Sequence, residues 1–127
     1  LLEASSDPAA LVLAVRDLER MGAPKKNRFS NGISNYFVSL FVGTKLNDTQ
    51  CGLRRYPIAR TLELAGESDG YAFEAEVLMR AVAAGVPICE CTTDVLYPVD
   101  RTTHFDNVKD PMRMIVTVLR TAWKMRV

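Results

Sequence analysis

The stretch Leu11-Val12-Leu13-Ala14-Val15 decides the fold class of this 127-residue chain. A short, uninterrupted apolar run between Asp7-Pro8 and Arg16 is typical of a strand that is buried on both faces. Strands of that kind belong to parallel sheets whose two faces are covered by helices. The stretch therefore predicts a sheet that is at least partly parallel.

Segments with helical periodicity alternate with extended segments along the rest of the chain. The predicted helices are an apolar stripe from Phe29 to a stop at Gly43, a small helix opened by Pro57, a helix from about Phe73 to Ala84 and a last one from about Asp110 to Lys124. The further extended segments are Leu53 to Tyr56 and Val86 to Tyr97. This alternation predicts an α/β fold.

Composition limits the class of protein. A hydrophobic fraction of 48% and a charged fraction of 24% are ordinary for a soluble globular chain, and no apolar run approaches the length of a membrane span. The net charge of +1 gives no global field for nucleic acid, so no nucleic-acid partner is predicted. The odd set Cys51, Cys89 and Cys91 favours a reducing compartment and plain packing over a zinc site, since His104 is the only histidine.

The loop Asp48-Thr49-Gln50-Cys51-Gly52-Leu53-Arg54 is the most distinctive polar run of the sequence. It contains the carboxylate of Asp48, the amide of Gln50 and the guanidinium of Arg54 on either side of Gly52. A glycine permits backbone conformations that other residues avoid. Two interpretations remain open from the residues alone. The run forms an Asp turn in which Arg54 pairs with a neighbouring carboxylate, or Arg54 grips a phosphate through its planar guanidinium.

Other charged positions also have two interpretations each. Arg16 and Arg28, with nearby lysines, form either a basic mouth for a phosphate or a solvated surface. Glu74 and Glu76 open a helix, where the helix dipole favours carboxylates for purely structural reasons. His104 lies in a loop, either at a functional site or on the surface.

Four ordered segments resemble family-2 glycosyltransferases, in particular the branch that includes dolichyl-phosphate mannose synthase and undecaprenyl-phosphate sugar transferases. The segments are DTQCGLRRYP from Asp48, the helix opening at Lys26-Asn27-Arg28-Phe29 with Asn31 and Asn35, Gly70 to Glu76, and Thr103-His104-Phe105 with Asp110 and Arg113. The resemblance spans about Leu11 to Arg120.

This resemblance implies a fold of the GT-A type, in which an N-terminal half binds the nucleotide and a DxD motif holds a divalent metal, Mg or Mn. No DxD occurs in this chain. Residues 1–127 are therefore expected to form one partial domain, the acceptor-side C-terminal half of the catalytic domain. The isolated chain is expected to be inactive without the DxD half.

The resemblance also implies roles for single residues. Arg16, Arg28 and Arg54 are expected to handle phosphates, together with Gln50 and Glu76 as substrate contacts. Glu74, or alternatively Asp48, is expected to act as a base or to orient the attacking group. His104 is expected to complete a metal or diphosphate site.

The implied reaction is an inverting transfer from a nucleotide sugar to a polyprenyl phosphate in cell-envelope biosynthesis. Two alternatives remain: a sugar-hydroxyl acceptor, and a non-catalytic module that needs a partner chain. A lipid acceptor implies a cytoplasmic protein at the inner face of the cytoplasmic membrane. The last helix is expected either to pack through Met112, Ile115, Val116, Leu119, Ala122 and Trp123 or to lie in the membrane interface.

Overall fold

The computed structural model describes residues 1–64, 66–94 and 109–126 of the chain. The elements follow in the order β1 (Leu11–Arg16), α1 (Lys25–Val42), β2 (Arg54–Arg55), α2 (Ile58–Glu63), α3 (Tyr71–Ala83), β3 (Ile88–Thr93) and α4 (Lys109–Arg126). His104, and with it the predicted Thr103-His104-Phe105 segment, lies outside the described residues.

β1 is the central strand of a small mixed sheet of order β2-β1-β3. β3 runs parallel to β1 along the whole of both strands, from Leu11 opposite Ile88 to Arg16 opposite Thr93. β2 pairs antiparallel with β1 through Leu13 and Arg54. The predicted α/β class with a parallel strand pair is confirmed, and the extended segment that follows Gly52 contributes only two residues to the sheet.

The core lies between one face of β1 and the helices. Leu11 and Leu13 pack against a cluster that includes Val38 of α1, Leu78 of α3 and Val118 of α4. Burial of such side chains supplies most of the stabilisation of a domain of this size.

The opposite face of β1 is covered by the chain before it. Val12 lies opposite Cys89, whose thiol donates to the Ala4 carbonyl at 3.4 Å. The Arg55 guanidinium holds this N-terminal segment by donating to the carbonyls of Leu2, Ser5 and Asp7. Both faces of the central strand are therefore buried, as its apolar run predicts.

The helices begin and end close to the predicted points. α1 starts directly after Pro24, earlier than Phe29, and Gly43 ends it with a φ of 69° in the left-handed region. Gly85 follows α3 with a φ of 71°. These are positions where glycine adopts a conformation that other residues avoid.

The prediction of which side of α4 packs was wrong for most of its residues, although Ala122 is buried as predicted. The buried residues of α4 are Met114, Thr117, Val118, Thr121 and Ala122, whereas Met112, Val116, Leu119 and Trp123 are exposed. α1 behaves in the same way, since it buries Ser30, Asn31, Ser34 and Val38 and exposes Phe29, Tyr36 and Leu40. Small inward side chains favour close packing of the helices, and the inward Ser34 hydroxyl bonds to Thr49 within the fold, so the larger apolar residues are left outside.

Candidate functional site

Asp48 and Arg16 form a buried ion pair at the carboxyl end of β1. The Asp48 side chain is fully buried, and its two oxygens accept from Arg16 Nε at 2.7 Å and Nη2 at 2.9 Å. The Arg16 backbone N–H donates to the same carboxylate at 3.1 Å, and the Gln50 N–H donates at 3.3 Å. Such a bidentate pair is geometrically specific. Asp48 therefore orients Arg16 in this structure, and its predicted role as a base stays a prediction.

The rest of the Asp48–Arg54 loop is anchored by amide and hydroxyl groups. The side-chain oxygen Oδ1 of Asn35 accepts from both the backbone N–H and the hydroxyl of Thr49 at 2.8 Å. Glu90 of β3 accepts from the Asn47 backbone N–H at 2.8 Å and from its side-chain amide at 2.6 Å. The loop is therefore held by both α1 and β3. Sequence reasoning missed Glu90, because a single acidic residue in a strand carries no recognisable signal.

Arg54 has a fully buried side chain whose donors point at backbone carbonyls. Nε donates to the Cys51 carbonyl at 3.1 Å, Nη1 to the Glu74 carbonyl at 2.8 Å and Nη2 to the Thr49 carbonyl at 2.9 Å. The guanidinium thus ties the Asp48–Arg54 loop to the first turn of α3. A phosphate contact of Arg54 stays a prediction.

Glu74 lies in the wall of a cleft of about 690 Å³. The cleft is lined by Gly52, Tyr56, Gly66, Glu67, Ser68, Asp69, Gly70, Phe73 and Glu74. The Glu74 side chain is 24% exposed, and its Oε2 is 3.9 Å from Arg54 Nη2. Burial raises the pKa of Glu74, while the charges of Arg54 and Arg16 oppose the shift. A carboxyl group with a raised pKa in a cleft is a candidate for proton transfer.

Gly52 provides the space in which the Glu74 carboxylate lies. A Cβ at position 52 would stand 3.2 Å from Glu74 Oε1. The described glycines with positive φ are Gly22, Gly43, Gly70 and Gly85, so the unusual backbone expected at Gly52 is not present. The glycine is explained by this close approach instead.

Glu76 does not line the cleft, but its carboxylate binds two residues that do. Its buried carboxylate accepts from the backbone N–H groups of Glu67 at 3.2 Å and Ser68 at 2.9 Å, and from Arg80 Nε at 2.9 Å. Burial acts to raise the pKa of Glu76, but the hydrogen bonds from Ser68, Glu67 and Arg80 outweigh it and lower the pKa. Its predicted role as a substrate contact stays a prediction, because these oxygens bind the loop 66–69.

Three polar atoms at the start of α1 are buried without hydrogen-bond partners among the described residues. They are Arg28 Nε, Ser30 Oγ and Asn31 Oδ1. Ser30 and Asn31 are only 3% and 5% exposed. The first turn of α1 has no acidic residue and no side-chain cap. Buried polar groups without partners are rare and call for an explanation, such as a ligand. Sequence reasoning had singled out Arg28 but not Ser30.

The remaining predicted contact, Gln50, is half-buried beside α4. Its side-chain amide donates to the Met114 sulfur at 3.6 Å. Within the described part of the chain, no three His, Cys, Asp or Glu side chains form a group that could hold a metal ion. The divalent metal therefore stays a prediction, and no step below is routed through it.

Comparison with known proteins finds glycosyltransferase AglD of Haloferax volcanii, which is 30% identical over 110 residues. The chain is therefore similar to part of a glycosyltransferase. The aligned region covers 82% of this chain but only 17% of AglD. No protein-family profile and no solved structure matches the chain.

Proposed function

We propose that this chain is the acceptor-side part of a longer family-2 glycosyltransferase of the GT-A type. The longer enzyme, called the parent below, transfers a sugar with inversion from a nucleotide-sugar donor to a polyprenyl phosphate. A divalent metal and the nucleotide site belong to the remainder of the parent. The parent works at the cytoplasmic face of a membrane, where its lipid acceptor resides.

The observation that supports a phosphate acceptor is a set of buried polar atoms, in the first two turns of α1, that lack partners in the described part of the chain. Arg28 Nε and Ser30 Oγ are buried there without partners among the described residues, and the helix N-terminus favours an anion. The oxygen and nitrogen of the Asn31 side-chain amide have nearly the same shape, so the amide can be placed in either orientation. In the orientation that exchanges the two atoms, the NH2 group takes the place of Oδ1 and is a further donor. A phosphate oxygen accepts from donors of this kind, so a phosphate bound beside this part of α1 would give a buried donor the partner that it lacks among the described residues.

The proposed chemistry needs positioning more than proton removal. A phosphate oxygen is already anionic near neutral pH. It attacks the anomeric carbon of the donor sugar from the side opposite the diphosphate. A new carbon–oxygen bond forms while the bond to the nucleotide diphosphate breaks, which inverts the configuration. Arg28 binds the acceptor phosphate, Arg16 contributes positive charge, and Glu74 orients the reacting groups in the cleft.

A sugar-hydroxyl acceptor is the second candidate, and Glu74 favours it. A hydroxyl must lose its proton on attack, and Glu74 has a raised pKa in a cleft large enough for a sugar. The two candidates therefore differ in how much they require of the Glu74 carboxylate.

The Glu74→Gln substitution in the parent tests the choice of acceptor. With a polyprenyl phosphate we expect kcat to fall by less than about tenfold, because no proton has to be removed and the variant keeps the size of the side chain and one of its two acceptor oxygens. Loss of a required base costs about 100-fold to 10,000-fold. Initial rates of sugar transfer at saturating donor provide the measurement.

Glu63→Gln is the matched control, since Glu63 lies on the surface of α2 and is 68% exposed. A loss of about 100-fold or more for Glu74→Gln with unchanged Glu63→Gln would replace the phosphate acceptor by a hydroxyl acceptor. A parent that binds no nucleotide sugar in the presence of Mn²⁺ would favour the non-catalytic module.

A further inference from the structure

The side chain of Asn35 in α1 forms hydrogen bonds to the main chain on both sides of Asp48. Its amide Nδ2 donates to the Asn47 carbonyl at 2.7 Å, and its Oδ1 accepts from the Thr49 backbone N–H at 2.8 Å. A carbonyl needs a donor and an N–H needs an acceptor, so these two partners determine the orientation of the Asn35 amide. One side chain therefore brackets the residue that pairs with Arg16.

The two hydrogen bonds hold the two peptide planes that meet at Asp48. The Asn47 carbonyl lies in the plane that precedes the Asp48 Cα, and the Thr49 N–H lies in the plane that follows it. Once both planes are held, the φ and ψ angles of Asp48 are set, and with them the direction of its Cα–Cβ bond. The position of the Asp48 carboxylate therefore depends on a side chain of α1.

Further contacts keep both ends of this bracket in place. Glu90 of β3 accepts from the backbone N–H of Asn47 at 2.8 Å and from its side-chain amide at 2.6 Å. On the other side, the Thr49 hydroxyl donates to Asn35 Oδ1 at 2.8 Å and lies 2.8 Å from the Ser34 hydroxyl. Thr49 is fully buried, so water does not readily replace these partners when one is removed. The bracket therefore joins α1 to β3 through the loop.

Asp48 transmits this geometry to Arg16. The two carboxylate oxygens of Asp48 accept from Arg16 Nε at 2.7 Å and from Nη2 at 2.9 Å. A bidentate pair has one favourable relative orientation of carboxylate and guanidinium. If the Asp48 carboxylate turned, the guanidinium would have to move with it or lose one of the two hydrogen bonds.

We propose that Asn35 is a positioning residue for Arg16, because it orients Asp48, which in turn orients the guanidinium. The inference rests on the proposed function, in which Arg16 contributes positive charge to sugar transfer. A positive charge lowers the barrier only when it is held where negative charge develops in the transition state. Asn35 is therefore expected to affect kcat more than the binding of the acceptor phosphate, which the proposed function assigns to Arg28.

The exchange of the Arg16 Nε proton with water tests this geometry in the 127-residue chain, without any sugar transfer. We expect slow exchange in the unaltered chain, because this proton is bonded to Asp48, and exchange at least about tenfold faster in Asn35→Ala. Asn35→Asp should resemble Asn35→Ala, since it places a carboxylate oxygen against the Asn47 carbonyl. NMR spectroscopy measures the rates, and the hydrogen-bonded amide proton of Leu11 reports whether β1 stays folded in each variant.

Ser39→Ala is the matched control. The Ser39 hydroxyl also joins α1 to the chain before Asp48, since it accepts from the Leu46 N–H at 2.9 Å, but it contacts neither peptide plane at Asp48. Exchange of the Arg16 Nε proton in this variant should stay within about twofold of the unaltered chain. Equal exchange rates in Asn35→Ala, Asn35→Asp and Ser39→Ala overturn the inference and leave the proposed function standing.

Kinetics of the parent test whether this positioning matters for sugar transfer. We expect Asn35→Ala to lower kcat by about tenfold to 100-fold with KM for the acceptor within about twofold, and Ser39→Ala to change neither. Because Asn35 acts through Asp48, Asn35→Ala should cause no further loss in an Asp48→Asn parent. An unchanged kcat, or a further loss in the Asp48→Asn parent, overturns the inference. A parent that transfers no sugar to a lipid phosphate contradicts the proposed function instead, and the exchange rates alone then decide whether Asn35 positions Arg16.

Discussion

Replacing Arg54 by Ala is expected to lower the free energy of unfolding by about 3 kcal/mol. The fully buried guanidinium donates to the carbonyls of Cys51, Thr49 and Glu74, and its removal leaves these acceptors without that partner. Each hydrogen bond from a charged donor contributes about 1.5–3 kcal/mol, and losses in one network are not additive. Urea unfolding of the chain, followed by circular dichroism, measures the change.

Arg60→Ala is the control for this experiment. Arg60 is 62% exposed and forms its ion pair with Glu63 on its own helix, so we expect a change within about 0.5 kcal/mol. The loss of stability in Arg54→Lys should lie between the losses in Arg54→Ala and Arg60→Ala. An ammonium group keeps the charge, but it lacks the planar set of donors with which the guanidinium reaches all three carbonyls. An Arg54→Ala variant as stable as Arg60→Ala would show that the guanidinium does not hold the loop to α3.

Replacing Glu76 is expected to have an effect of similar size that depends on pH. At pH 7, Glu76→Gln should be less stable than the unaltered chain by about 2–3 kcal/mol, because it weakens the bonds to Arg80 and to the loop 66–69. The pKa of Glu76 is lowered in the folded state. Its ionised form therefore stabilises the fold above its unfolded pKa, and this contribution is lost as the pH falls through the lowered, folded pKa.

Urea unfolding at a series of pH values measures this dependence. The difference between Glu76→Gln and the unaltered chain should shrink as the pH falls into the acid range. Glu63→Gln should show no comparable trend, since its carboxylate is on the surface. A Glu76→Gln effect that is constant from neutral to acid pH would contradict the account of Glu76 as an ionised clamp on the cleft wall.

The positions of β1 and α3 could be predicted because their apolar patterns are local. The run from Leu11 to Val15 identifies a doubly buried strand, and the period of Val77, Leu78 and Ala81 identifies the inner side of α3. Glycines with positive φ ended α1 and α3 as expected. These features depend on residues that are close together in sequence.

The inner sides of α1 and α4 could not be predicted in this way. Their buried faces carry hydroxyls and, on α1, the amide of Asn31, and the partner of such a group can lie in another part of the chain. Ser34, for example, binds Thr49 at 2.8 Å. Periodicity ranks side chains by apolarity alone, so it assigned the exposed stripe of α4 to the interior. A polar face is predictable only when its distant partners are known.

The candidate site could be predicted only in part, because several of its contacts are made to backbone groups. The structure places Arg16 against Asp48 and brings the Arg54 guanidinium within 3.9 Å of Glu74, which lines the cleft. The scaffold contacts of Arg54 and Glu76 are made to backbone carbonyls and N–H groups. Backbone groups are present at every residue, so such contacts leave no pattern in the sequence.

The most direct test of the proposed function is the identity of the product that the parent forms. The parent is incubated with polyprenyl phosphate, a sugar-hydroxyl acceptor and a panel of nucleotide sugars, and the lipid and sugar fractions are analysed by mass spectrometry. The account predicts a polyprenyl monophosphate that carries one added sugar, with inverted anomeric configuration. Transfer to the hydroxyl acceptor alone, with the polyprenyl phosphate unchanged, would contradict it.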